Sequence, residues 1–177
     1  MPQRFRIYEG IYPHFITSTV VHWIPVFCRD DYFRVLADSL NYCIEQRGLH
    51  VHAYVIMPNH FHMICSQDAG DISGVVRDIK RFTSHSLTQM LERDGRTIWL
   101  RAMKNAAEST FQAKLWDEAF HPEQLHSRAF YDQKLNYIHN NPVRAGYVDN
   151  PLAWRYSSAG YYLEDAESLI RTEPVEW

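Results

Sequence analysis

The stretch LHVHAYVIMPNHFHMIC, residues 49–65, decides the fold. Its two halves, residues 49–57 and 60–65, are rich in β-branched and aromatic residues, which is typical of strands. Only Pro58 and Asn59 separate them, and a connection of two residues predicts a tight hairpin. The sheet that contains this hairpin is therefore at least partly antiparallel.

Three helices are predicted around the hairpin, because apolar residues recur at helical spacing between residues that favour helix ends. They run from Asp30 or Asp31 to about Arg47, from Asp71 or Ser73 to about Arg93, and from Ser127 to Asn140 or Asn141. Phe82 is expected in the core, and Pro142 is expected to end the third helix. Residues 12–21 and 114–121 are predicted as further strands, while residues 96–113 fit either strand or helix. This order predicts an α+β fold with helices packed on the sheet.

The composition is that of a globular protein, with 177 residues, a hydrophobic fraction of 46% and a net charge of −3. We expect one domain over residues 1–160 and a C-terminal tail over residues 161–177. No apolar run is long enough to span a bilayer, and the first residues lack the apolar core of a signal peptide. Three cysteines without a C-x-x-C pair indicate reduced thiols. The sequence therefore predicts a cytoplasmic protein without a membrane partner.

His60 and His62 are the first candidate site residues. Side chains at positions i and i+2 of a strand point to the same side of the sheet, so both imidazoles can approach one metal ion. The spacing alone is weak support, because His50 and His52 have it too. Two half-exposed strand histidines without a metal are the alternative at this point.

Tyr137 and Asn141 are the second candidate pair, four residues apart and hence on one side of the third helix. A tyrosine phenol is a poor nucleophile at neutral pH. Beside a divalent ion that polarises a phosphodiester, however, it could attack phosphorus and form a covalent phosphotyrosine. The alternative is a tyrosine packed in the core and an asparagine that helps to end the helix.

Two long motifs favour a functional site over a purely structural role for both pairs. They are YVIMPNHFHMI at residues 54–64 and LNYIHNNPVRAGYV at residues 135–148. They resemble the M-P-N-H-x-H and Y-I-x-x-N-P-V-R-A-G signatures of the single-tyrosine HUH transposases, and most closely those of the REP-associated tyrosine transposase branch. Weaker matches extend the resemblance over roughly residues 12 to 160.

The resemblance implies a ferredoxin-like domain with a central antiparallel sheet, the HUH motif on a strand and the tyrosine on a helix. It further implies that Tyr137 is the nucleophile and that His60, His62 and Asn141 bind Mg²⁺ or Mn²⁺. Such an enzyme cleaves and rejoins single-stranded DNA hairpins by transesterification through a 5′-phosphotyrosine, without a small-molecule cofactor. It acts as a monomer or homodimer at the nucleoid.

Four basic residues are candidates for DNA contacts: Arg77, Lys80 and Arg81 on one side of the second helix, and Arg144 near Tyr137. A net charge of −3 requires that such contacts form a focused groove instead of a generally basic surface. Two other functions stay open. One is a domesticated nucleic-acid hairpin-binding module without chemistry, and the other is a metal-dependent phosphodiesterase that uses water as its nucleophile.

Overall fold

The computed structural model describes residues 5–6, 12–107, 113–119 and 121–177. Its strands are β1 (Phe5–Arg6), β2 (His14–Thr19), β3 (Leu49–Met57), β4 (His60–Gln67), β5 (Glu123–Gln124) and β6 (Val175–Glu176). Its α-helices are α1 (Asp30–Gln46), α2 (Ile72–Arg93), α3 (Thr97–Ala106), α4 (Arg128–Arg144) and α5 (Ala159–Glu164).

The central sheet has four antiparallel strands in the order β3-β4-β2-β5. In chain order, β2-α1-β3-β4-α2-β5 is the βαββαβ arrangement of ferredoxin-like folds. The predicted hairpin at residues 58–59 and the predicted fold class are both confirmed. A small second sheet pairs β1 with β6 in parallel.

The two sides of the central sheet bury different sets of side chains. Ile16, Tyr54, Phe61 and Met63 belong to the core that α1 and α2 cover. Alternate positions on the same strands belong to a second core, which the α4 residues Tyr131 and Ile138 complete; these positions include Phe15, Val55 and Ile64. Because side chains alternate along a strand, His60 and His62 lie on the α4 side.

Three local predictions were wrong. Helix α4 continues past Pro142 to Arg144 without the N–H of the proline, and Gly146, at φ 75°, closes the last turn by donating to the carbonyl oxygen of Val143 at 3.0 Å. Phe82 is 56% exposed instead of buried. In the described part of residues 114–121, only Trp116 pairs as a β-bridge, with Val20, and no strand forms. The ambiguous residues 97–106 form α3.

The C-terminal residues run along β3. The backbone N–H of Glu173 donates to the carbonyl oxygen of Val51 at 3.1 Å, and Ile170 and Val175 are buried. Across the described ranges, no helix combines the length and apolar composition needed to cross a membrane.

Candidate active site

His60 and His62 lie side by side at the start of β4, with ring centroids 4.8 Å apart. Antiparallel pairing places Thr19 opposite His60 and Thr17 opposite His62 on β2. The HUH motif is thus held in the middle of the central sheet, where β3 and β2 flank it on both sides.

Neighbouring side chains orient both imidazoles. Nδ1 of His60 lies 2.7 Å from Oδ1 of Asn59. An amide oxygen only accepts, so this bond puts the proton on Nδ1 and leaves a lone pair on Nε2. Nδ1 of His62 lies 2.7 Å from the hydroxyl oxygen of Thr17. When that hydroxyl accepts, His62 has the same tautomer, which is the arrangement that supports metal-binding histidines.

Burial keeps both rings neutral. Desolvation, together with the charges of His60 and Lys134, lowers the pKa of His62 to about 3. Desolvation also lowers the pKa of His60, while a hydrogen bond with the Asn141 side chain raises it. A neutral imidazole offers the lone pair that a metal ion requires.

Tyr137 and Asn141 approach the histidines from α4. This helix begins after Ser127, whose hydroxyl accepts from the backbone N–H of Phe130. The Tyr137 ring is 36% exposed and lies 5.2 Å from the His62 ring, edge to face. The Asn141 side chain hydrogen-bonds to His60. The structure therefore brings His60, His62, Tyr137 and Asn141 together within one chain.

Arg144 joins this cluster at the end of α4. Its guanidinium carbon lies 5.2 Å from the centre of the Tyr137 ring. Lys134 supplies a second positive charge one turn before Tyr137, with its ammonium 4.5 Å from the centre of the Phe15 ring and ion-paired with Glu123 at 2.5 Å. Two cationic side chains thus lie near Tyr137.

The donors of the cluster suit a hard divalent ion. Two neutral imidazoles and the amide oxygen of Asn141 leave several coordination positions for water or phosphate oxygens, as Mg²⁺ and Mn²⁺ prefer. No group of three or more His, Cys, Asp or Glu residues occurs in the described part of the chain. Asn141 supplies the amide that contacts the histidine pair.

The other predicted DNA-contacting residues lie elsewhere. Arg77, Lys80 and Arg81 line a groove of about 340 Å³ between α2 and residues 114–118. Lys80 Nζ donates to the carbonyl oxygen of Asp117 at 3.0 Å. Because α2 covers the opposite side of the sheet from α4, only Arg144 of the four joins the histidine–tyrosine cluster.

Sequence reasoning missed the residues that support the cluster. Asn59 stood in the quoted motif without a role, although an amide next to a histidine can orient it. Thr17 sits in an alternating strand, and only the register of β2 against β4 shows that it faces His62. Trp23, whose ring contacts that of His60 at 5.9 Å, has no signal in the sequence.

The chain is similar to proteins of a known family. A family model described as "Transposase IS200 like" matches residues 9–141, about three quarters of the chain. This chain belongs to the IS200-like transposase family. The resemblance that the two motifs indicated is confirmed.

Two known proteins are similar to this transposase over most of its length. It is 23% identical over 147 residues to the REP-associated tyrosine transposase of Escherichia coli (strain K12), an alignment that covers 82% of this chain and 72% of the relative. A solved structure of a REP-associated tyrosine transposase bound to a REP hairpin superposes with a TM-score of 0.67 and 18% identity. That superposition covers 100% of this chain and 94% of the other, so the fold is shared over its whole length.

Proposed function

We propose that this transposase cleaves and rejoins single-stranded DNA at hairpin ends by metal-assisted transesterification, with Tyr137 as the nucleophile. The observation that carries the proposal is the approach of Tyr137 to a pair of neutral, oriented histidines. A hairpin substrate is supported by the DNA-bound relative of the same fold. An enzyme of this kind acts where the chromosome lies, at the nucleoid.

The proposed step exchanges one ester for another. The phenol oxygen of Tyr137 forms a bond to phosphorus while the bond from phosphorus to the 3′ oxygen breaks, and the phenol proton reaches that oxygen through solvent. The products are a 5′-phosphotyrosine and a free 3′-OH. Because the new ester replaces the old one, a 3′-OH from a second strand can reverse the step and join DNA without ATP.

Each residue of the cluster has a distinct part in this proposal. His60, His62 and Asn141 would hold Mg²⁺ or Mn²⁺, which, when bound, neutralises charge on the scissile phosphate. Asn59 and Thr17 keep the two imidazoles oriented. Arg144 attracts the phosphate to the side of the Tyr137 ring. The partly exposed phenol is reachable by a DNA backbone without any opening of the core.

Two further proposals concern the DNA and the assembly. Arg77, Lys80 and Arg81 would bind phosphates of the same DNA at a distance from the cleaved bond, because their groove lies across the sheet from Tyr137. One chain supplies both histidines, the tyrosine and the asparagine, so we propose that a monomer is sufficient for cleavage.

Formation of a covalent adduct tests the proposed chemistry. Single-stranded hairpin oligonucleotides from the DNA that flanks the gene carry a label at the 3′ end, on the side of the cleaved bond that becomes the 5′-phosphotyrosine. They are incubated with the protein and Mn²⁺ or Mg²⁺, then run on a denaturing protein gel. We expect the label to move to the mass of the protein with the parent chain and metal. We expect no shift with Tyr137→Phe or in the presence of EDTA.

Tyr147→Phe is the matched control, since Tyr147 is an exposed tyrosine just beyond α4 whose loss should leave the adduct unchanged. Cleaved DNA without an adduct, equal for the parent and Tyr137→Phe, would point to water as the nucleophile and contradict the proposal. Binding without cleavage for every hairpin and both metals would contradict it too, in favour of a hairpin-binding module.

A further inference from the structure

Trp23 is an exposed aromatic residue that the proposed chemistry leaves without a role. Its side chain is 62% exposed, although it lies beside the candidate active site. The ring meets that of His60 at a centroid distance of 5.9 Å and an interplanar angle of 72°. The two rings meet edge to face, and Trp23 leaves most of its surface open to solvent.

The backbone around Trp23 adopts a disfavoured conformation. His22 and Trp23 have φ angles of 55° and 56°, in the left-handed region that residues with a β-carbon rarely enter. Strain of this kind is found preferentially at functional sites, where the surrounding structure maintains it. Both side chains are exposed, while the flanking Val21 and Ile24 are buried in the core, so the turn holds an exposed indole between two anchored residues.

Hydrogen bonds tie this strained turn to the HUH strand. Val20 donates its N–H to the carbonyl oxygen of Asn59 at 2.9 Å, and Val21 donates to that of Leu115 at 2.9 Å. The side-chain amide of Asn59 donates to the carbonyl oxygen of Trp23 at 3.5 Å, while its Oδ1 accepts from His60. One residue, Asn59, therefore sets both the His60 ring and the turn that presents Trp23.

We infer that Trp23 is a stacking subsite for a nucleobase next to the scissile phosphate. The inference deepens the proposed function and rests on its substrate, a single-stranded DNA that passes over the histidines. Unpaired bases stack on exposed indole rings, which accept any base because every base has an aromatic face. A base held on Trp23 would fix the position of its own phosphate relative to His60 and Tyr137.

DNA binding by a non-cleaving protein tests the subsite. In a Tyr137→Phe background we would measure the affinity for the best-bound hairpin oligonucleotide of the adduct assay, by fluorescence anisotropy. Trp23→Ala should weaken binding by about 5- to 150-fold, the equivalent of the ~1–3 kcal/mol that stacking on one aromatic ring contributes. Trp23→Phe should lose less. The control Tyr42→Ala removes another exposed aromatic side chain, on α1, and should change nothing.

A series of oligonucleotides, each with one abasic site at a different unpaired position, identifies the base that stacks on Trp23. One position should weaken binding to the Tyr137→Phe protein and have no effect once Trp23 is alanine. Unchanged affinity after Trp23→Ala, or equal abasic penalties with and without the indole, would overturn the inference and leave Trp23 to a protein partner.

These experiments distinguish failure of the stacking subsite from failure of the proposed cleavage chemistry. An adduct with no effect of Trp23 removes the subsite and keeps the chemistry. A Trp23-dependent abasic position without any adduct keeps the subsite and removes the chemistry.

Discussion

The hydrogen bond between Thr17 and His62 allows a sharp test of the metal site. Thr17→Val replaces the hydroxyl by a methyl group of similar size, and Nδ1 of His62 loses the oxygen that lies 2.7 Å away. The strand should stay intact, because valine is a good strand residue. The change therefore acts on the orientation of one imidazole and on little else.

The size of the effect follows from the burial of His62, which is only 5% exposed. Leaving a buried polar group without its partner costs about 1–3 kcal/mol. Loss of the partner of a metal-binding histidine typically lowers metal affinity about 10- to 100-fold, which corresponds to about 1.4–2.8 kcal/mol. The first cost lowers the free energy of unfolding and the second lowers metal affinity, so we expect Thr17→Val to bind Mn²⁺ about 10- to 100-fold more weakly than the parent.

The assay is a Mn²⁺ titration in which electron paramagnetic resonance reports the free ion, with adduct yield measured at each concentration. Excess Mn²⁺ should restore the adduct, because the nucleophile is unchanged. Thr19→Val is the control, two residues further along the same strand and opposite His60. A Thr17→Val protein that is folded and binds Mn²⁺ within twofold of the parent would refute the reasoning, as would an equal loss in Thr19→Val.

Three further predictions concern other parts of the molecule. Burial lowers the pKa of His52 to about 4. Between about pH 6.5 and 4, His52 is therefore protonated in the unfolded chain and neutral in the folded chain. The free energy of unfolding should therefore fall by about 3 kcal/mol less between pH 6.5 and 4 in His52→Gln than in the parent, and urea titrations at the two pH values measure the difference. Arg81→Gln should reduce the slope of log affinity against log salt by about 0.7–0.9 for the hairpin oligonucleotide, the effect of one lost phosphate contact. Gly146→Ala should lower the free energy of unfolding in urea by about 1 kcal/mol, since φ is 75° and nothing lies within 4 Å of the added methyl group.

Each of these predictions has a control of the same chemical type. His85→Gln changes an exposed histidine on α2 and should keep the pH dependence of the parent. Arg128→Gln removes an exposed arginine at the start of α4, paired with Asp132, and should keep the salt slope. Gly160→Ala lies within α5, where alanine is favoured, and should not destabilise. Equal effects in a variant and its control would contradict the corresponding assignment.

Much of the fold follows from local patterns. The hairpin, the first two long helices and their ends were predicted within a few residues, because strand alternation, helical spacing and end residues such as Asp71 and Gly48 act over one or two turns. Pro142 shows the limit of such rules. The proline lacks one backbone donor, but one lost hydrogen bond does not end the helix, which continues for two residues to Arg144.

The two His-x-His pairs show why spacing did not define the site. His50 lies between Glu173 and Asp68, and His52 is buried between Ser66 and the backbone of Glu173. Two carboxylates, a serine hydroxyl and a backbone carbonyl thus occupy the ring nitrogens of this pair. His60 and His62 instead have side-chain partners on Nδ1 and a tyrosine beside them. Their residue types and spacing are the same, and only their neighbours differ.

The sequence by itself determined the α+β class, the hairpin that carries the HUH motif, and the placement of Tyr137 and Asn141 on one side of a helix. These features depend on backbone geometry over a few residues, which the local order of side chains specifies. Tertiary structure decided that α4 packs against the side of the sheet where His62 points, that Arg77 and Arg81 lie across the sheet, and that Trp23 stands beside His60. Such contacts join residues far apart in the chain. They depend on which apolar surfaces pack together, and local periodicity does not specify this.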